Sequence, residues 1–175
     1  KHYVDVDGNF VEQFQTTAFD SRIWELYLYA ALLEMGLFVN KKHEAPDFEV
    51  RGHGGTVFIE AVIVGPSPKD PALELDEFGM PELRSPEAVR ELLKTRMPIR
   101  FGSALYSKLS RAKPYWELEH VKGHPLVFAV ADFHEDQSMT WTSPALLEYL
   151  YGVTHDFTFD ADGQLVISPL KIETH

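Results

Sequence analysis

The chain has 175 residues, 45% hydrophobic and 13% aromatic, enough apolar material for one substantial core in a single domain. It contains no cysteine, which excludes disulfides, thiolate zinc sites and thiol nucleophiles and fits a reducing, cytoplasmic setting. A formal charge of −11 excludes a protein that holds nucleic acid by bulk electrostatics, because phosphate neutralisation supplies most non-specific affinity. A basic face would have to be local, and Arg100, Lys108, Arg111, Lys113 and Lys122 are its candidates.

No apolar run approaches the roughly 20 residues that cross a bilayer, and no secretory leader opens the chain. The expectation is a cytoplasmic protein with no membrane partner. Because the first residue is Lys1 rather than Met, the sequence is compatible with a trimmed domain or a fragment of a longer protein.

Residues 3–14 alternate apolar and polar around Asp7-Gly8-Asn9, which predicts a β-hairpin. Asp20 or Ser21 can cap a helix from Ser21 to Met35 that stops at Gly36. Trp24, Leu26, Tyr27, Leu28, Ala30, Ala31, Leu32 and Leu33 make it apolar nearly all round, so burial on more than one side is expected. Short strands follow at Leu37–Lys41 and Asp47–Arg51, with a Gly-rich turn, Gly52-His53-Gly54-Gly55, leading into a third strand at Thr56–Val64. That third strand is an almost unbroken apolar run in which Glu60 is the single charge, the pattern of a central strand covered on both faces.

Six of the eleven prolines fall between Pro66 and Pro98. Residues 65–98 are therefore read as an excursion from the core with one helical stretch at Pro86–Thr95. A second main helix, Ile99–Ala112, carries the stripe Phe101, Ala104, Leu105, Leu109 and Ala112, and Lys108 falls inside it. Pro125–Asp132 reads as another buried strand. Residues 143–175 read as a helix capped by Ser143 and a hairpin turning at Asp160–Gly163.

The residues that carry chemistry are Asp47, which opens the second strand after Pro46, and Glu60 inside the third. Two carboxylates on neighbouring strands can meet to hold a hard divalent cation. Lys108 adds an independent signal, since an ammonium on a core-facing stripe needs a carboxylate partner. Each residue also has a plainer reading: Glu25 pairing with Arg22 along its helix, Asp47 forming a turn, Glu60 and Lys108 making a structural salt bridge, and Lys108 laying its stem along the core with its head in water. Asp132-Phe133-His134 sets two ligand types on one strand face, but no third His or Cys stands at zinc spacing. His53, His120 and His124 read as exposed or satisfied. No phosphate-binding Gly-rich loop precedes a helix, and Gly102-Ser103-Ala104 lacks the nucleophile-elbow frame.

The order helix, three strands, helix, strand over about residues 20–132, with Pro46-Asp47 and Glu60, resembles the PD-(D/E)xK nuclease superfamily. Trp24-Glu25-Leu26-Tyr27 and Tyr115-Trp116-Glu117-Leu118 are similar to an uncharacterised bacterial branch of it. The resemblance implies an α/β, restriction-endonuclease-like α-β-β-β-α-β core with a mixed four-stranded sheet and peripheral hairpins. It further implies that Asp47, Glu60 and the Ala61 carbonyl ligate Mg²⁺ or Mn²⁺, that Glu25 assists through water or a second ion, and that nucleic acid, preferentially DNA, is the substrate. The superfamily's lysine maps onto Val62, and Lys108 is the expected substitute. The alternatives are a nuclease-like binding or assembly module without catalysis, and a metal hydrolase of a small phosphorylated substrate. An oligomer is compatible with each.

Overall fold

The computed structural model describes Tyr3, residues 8–68, Asp70, residues 75–80, Glu82 and residues 84–171. The protein is mixed α/β, and its elements group into two compact units, residues 1–66 with 104–134, and residues 67–103 with 135–175. The sequence reading treats 1–175 as one domain. In the structure the Pro-rich excursion and the C-terminal segment fall in the same unit, a grouping of distant residues that leaves no local sequence signal.

The first unit begins differently from expectation. Phe10–Gln15 is a short helix, α1, not the second strand of a hairpin; the hairpin's other half, residues 4–7, lies outside the described residues. Phe10 and Phe14 stack with ring centroids 6.1 Å apart. Their i,i+4 spacing is the helical signal that the apparent alternation hid. Helix α2 spans Phe19–Glu34. Its N-cap is Ala18, so Asp20 and Ser21 lie inside the first turn, where the Ser21 hydroxyl donates back to the Ala18 carbonyl. Burial on several sides is not found: only Glu25, Tyr29 and Leu32 are buried, and Tyr27 is 63% exposed.

Strands β1 (Phe38–Asn40), β2 (Phe48–Gly52), β3 (Gly55–Val64) and β4 (Leu126–Asp132) form one sheet in that order. The β1–β2 and β2–β3 pairs are antiparallel and β3–β4 is parallel. The mixed four-stranded sheet expected from the sequence is therefore present. Cross-strand neighbours share a face, so Phe48 opposite Ile59, Val50 opposite Val57, and Val39 opposite Val50 make one apolar surface. Tyr29 and Leu32 of α2 pack on it in a single cluster. Each fully buried side chain there is worth about 1.5–3 kcal/mol. Helix α2 also docks on β4, where the Trp24 indole N–H donates to the Ala129 carbonyl at 2.8 Å.

Alternation then sends Phe58, Glu60 and Val62 to the opposite face of β3. All three are buried.

In the second unit, α3 (Pro86–Thr95) is N-capped by Ser85, whose hydroxyl accepts from the Ala88 N–H at 3.2 Å. Helix α4 (Met97–Leu109) starts two residues before the expected Ile99 and stops short of Ala112; its first part, with buried Met97 and Phe101, belongs to this unit, and residues 104–109 to the first. Helix α5 (Ser143–Tyr151) ends at Gly152, which adopts φ of 62° as a left-handed cap requires. Thr142, not Ser143, occupies its N-cap. Strands β5 (Val153–Phe159) and β6 (Leu165–Lys171) form the expected hairpin, closed by the Asp160 carboxylate accepting from the N–H groups of Asp162 and Gln164. Residues 172–175 lie outside the described residues. Among the described residues no helix is long and apolar enough to cross a membrane.

Candidate active site

The site forms where β2 stops short of β3. The last β2–β3 pair is Phe48 with Ile59, so continuing the register sets Asp47 across from Glu60 and Pro46 across from Ala61. Phe58 donates its N–H to the Pro125 carbonyl beside β4. Even-numbered residues of β3 therefore turn their backbone groups toward β4, and Ala61 turns both N–H and C=O toward the β2 side. Pro46 has no N–H to offer the Ala61 carbonyl. The Ala61 N–H is taken instead by Asp47, whose Oδ2 accepts it at 2.8 Å.

Glu60 is 5% exposed and is held by two donors on one oxygen. The Lys108 ammonium lies 2.8 Å and the Tyr115 hydroxyl 2.7 Å from Oε1. Lys108 comes from the end of α4, as its place in the apolar stripe predicted. Tyr115 comes from a 3-10 turn, Tyr115–Glu117, and the Arg111 guanidinium sits 4.5 Å from its ring centroid. Among the described residues, Asp47 Oδ1 and Glu60 Oε2 have no protein donor, and both residues line one cavity of about 300 Å³. Ala61, Val62, Arg22, Glu25, Ser107 and Lys108 line it too.

The electrostatics separate the acids. Burial raises the Asp47 pKa to about 7, with the charges of Glu60 and Glu25 adding to it, while the Ala61 N–H and Lys41 pull the other way. Glu49, a further buried acid, behaves oppositely. Burial would lift it, but hydrogen bonds and charge from Arg51 and Lys42 outweigh that and hold it below the usual carboxylate range. Glu49 is structurally satisfied, whereas Asp47 is short of positive charge.

Glu25 lines the same cavity, yet both its oxygens are engaged. Oε1 accepts from Arg22 at 2.7 Å, while Oε2 accepts from Lys41 at 3.0 Å and from the Tyr3 hydroxyl at 2.8 Å. The plain helix pairing with Arg22 is present. Among the described residues, no three His, Asp or Glu side chains are grouped to hold a metal ion. The donor set brought together is thus two carboxylates and one backbone carbonyl, with Glu25 beside it as an anchor for cations. Val62 is 2% exposed on the cavity wall.

The other candidates are used elsewhere. Arg100 pairs with Asp70, which Arg96 also holds. His134 binds Asp132 through Nδ1 at 2.9 and 3.0 Å, so the Asp-x-His pair turns inward on itself. The His120 Nε2–H donates to the Ala45 carbonyl at 2.8 Å, its ring stacked on His43 with centroids 3.7 Å apart. That stack braces the segment leading into Asp47.

Sequence reasoning missed Lys41, Tyr3 and Tyr115. Lys41 was legible in part: it lies two residues after buried Val39, so it falls on the α2 face by alternation. Tyr115 was noted only within a motif, and nothing local indicates that its hydroxyl reaches a strand 55 residues away. In comparison with known proteins, the chain matches no protein-family profile, no curated protein and no solved structure.

Proposed function

We propose that the protein is a divalent-metal-dependent nuclease of the PD-(D/E)xK type, hydrolysing nucleic-acid phosphodiesters with DNA as the preferred substrate. The observation that carries this reading is a pair of carboxylates: Asp47 and Glu60 line one cavity with Ala61, and each has one oxygen, Oδ1 and Oε2, without a donor among the described residues. Hard oxygen donors of this kind suit Mg²⁺ or Mn²⁺. The raised pKa of Asp47 supports the fit, because the cluster is short of cationic charge as it stands. The element order of the first unit, α2, β1, β2, β3, α4, β4, with α3 intervening in the second, supports the restriction-endonuclease-like assignment.

A divalent ion bound there supplies Lewis-acid polarisation of the phosphodiester and acidifies an attacking water. The chain's own residues do the rest. Lys108 Nζ, released from Glu60 Oε1, orients the water and offsets charge growing on the phosphate, the task assigned elsewhere to a lysine at the Val62 position. Arg22, on the cavity wall, is held by Glu25 and Gln13, and Glu25 fixes the positions of both Arg22 and Lys41.

The test is cleavage of duplex and single-stranded DNA with Mg²⁺ or Mn²⁺. Asp47→Ala and Glu60→Ala are expected to lose activity, and Glu34→Ala, at the exposed end of α2, to keep it. Equal residual cleavage in all three contradicts the assignment.

A further inference from the structure

Tyr115 is 1% exposed, and a phenol buried that deeply needs a hydrogen-bond partner. It donates to Glu60 Oε1 at 2.7 Å, the same oxygen that Lys108 holds at 2.8 Å. The ring is fixed on two sides, edge-on to Phe128 at 5.9 Å and beneath the Arg111 guanidinium at 4.5 Å. The backbone is fixed as well, since the Tyr115 carbonyl accepts from the Leu118 N–H at 3.1 Å.

The two donors on this oxygen differ in what they can do. Lys108 is about one-third exposed on a flexible stem. Tyr115 has no room to leave.

We propose that Tyr115 is a positioning residue: its hydroxyl holds Glu60 by Oε1, keeps Oε2 as the oxygen open to the cavity, and thereby lets Lys108 depart without Glu60 turning. This inference rests on the metal-site reading above. Groups that orient a metal-binding carboxylate from behind typically contribute about 10–100-fold in metal affinity or activity.

The experiment is calorimetric titration of Mn²⁺ into the metal-free protein and into Tyr115→Phe, Glu60→Gln and Val50→Ala. Val50, a buried core residue away from the cavity wall, controls for lost stability. Tyr115→Phe is expected to weaken Mn²⁺ binding about tenfold or more, Glu60→Gln to abolish it, and Val50→Ala to leave the constant unchanged while lowering Tm. An unchanged constant in Tyr115→Phe alongside loss in Glu60→Gln overturns the role of Tyr115 and leaves the metal site standing. Equal weakening in Val50→Ala also overturns it, as a mere stability effect. Failure of the parent protein to bind Mn²⁺, with or without DNA, removes the metal site and this inference together. Should Tyr115→Phe not fold, Arg111→Lys keeps the charge but loses the planar guanidinium over the ring. Severalfold weaker Mn²⁺ binding is then expected, and an unchanged constant overturns the proposal.

Discussion

Lys108 and Glu60 form a salt bridge of 2.8 Å between α4 and the central strand β3, 48 residues apart in the chain. The ammonium is partly exposed and the carboxylate is buried, so the pair is asymmetric: the lysine can leave into water, but the glutamate cannot. This places a partly exposed cation on a buried acid whose other oxygen has no donor among the described residues.

Replacing Lys108 by Met therefore separates binding from chemistry. The lysine competes with a divalent ion for Glu60, so Lys108→Met is expected to bind Mn²⁺ as tightly as the parent or several-fold tighter. Cleavage is expected to fall about 10²–10³-fold, the scale of losing one charge-stabilising donor. Parallel titration and single-turnover cleavage check both halves; weaker binding together with weaker cleavage would make Lys108 simply structural.

Asp47 has a folded-state pKa of about 7, above its ordinary value of 3.8. The metal-free folded protein thus binds this proton more tightly than the unfolded chain does. The resulting stabilisation is complete below about pH 4 and is lost as the pH rises to about 7. Asp47→Asn, which cannot ionise, is expected to raise Tm at pH 8 by about 5 °C while leaving it nearly unchanged at pH 4. Thermal melts across that range decide it, and a lower Tm at pH 8 would contradict the raised pKa.

Glu25 predicts the opposite sign. It is buried and holds both Arg22 and Lys41, whose side chains are themselves largely buried. Glu25→Ala strands two cations and is expected to destabilise the protein by about 3 kcal/mol. Chemical denaturation measures this. A stability gain like that of Asp47→Asn would instead place Glu25 among the charge-repelling acids of the site.

Divalent binding should also displace the proton that Asp47 retains. Near pH 6.5, calorimetry in buffers of different ionisation enthalpy is expected to show release of up to about one proton per ion, falling toward zero by pH 9. Uptake, or no pH dependence, argues against Asp47 as a ligand.

The sheet and the acids at its open edge were legible in the sequence because they rest on local signals: an unbroken apolar strand, a Gly-rich turn, and a proline before an acid. Lys108 was legible because helical periodicity placed a charge on an apolar stripe. The α1 helix was misread because five residues with Phe10 and Phe14 at their ends satisfy both periods. The grouping of 67–103 with 135–175 was not legible, nor was the reach of Tyr115 to Glu60, since both depend on long-range packing with no local pattern. Glu25 lines the cavity that Asp47 and Glu60 share. Its pairing with Arg22, one turn earlier on the same helix, was legible from spacing, whereas Lys41 and Tyr3 come from two other segments and could not be read that way.

The measurement that bears most directly on the account is a crystal of the protein grown with Mn²⁺ and examined for anomalous scattering. A peak is expected within about 2.0–2.4 Å of Asp47 Oδ1, Glu60 Oε2 and the Ala61 carbonyl oxygen, with Lys108 Nζ moved off Glu60. A crystal saturated with Mn²⁺ in which that position is empty and the Lys108–Glu60 bridge is intact would contradict it.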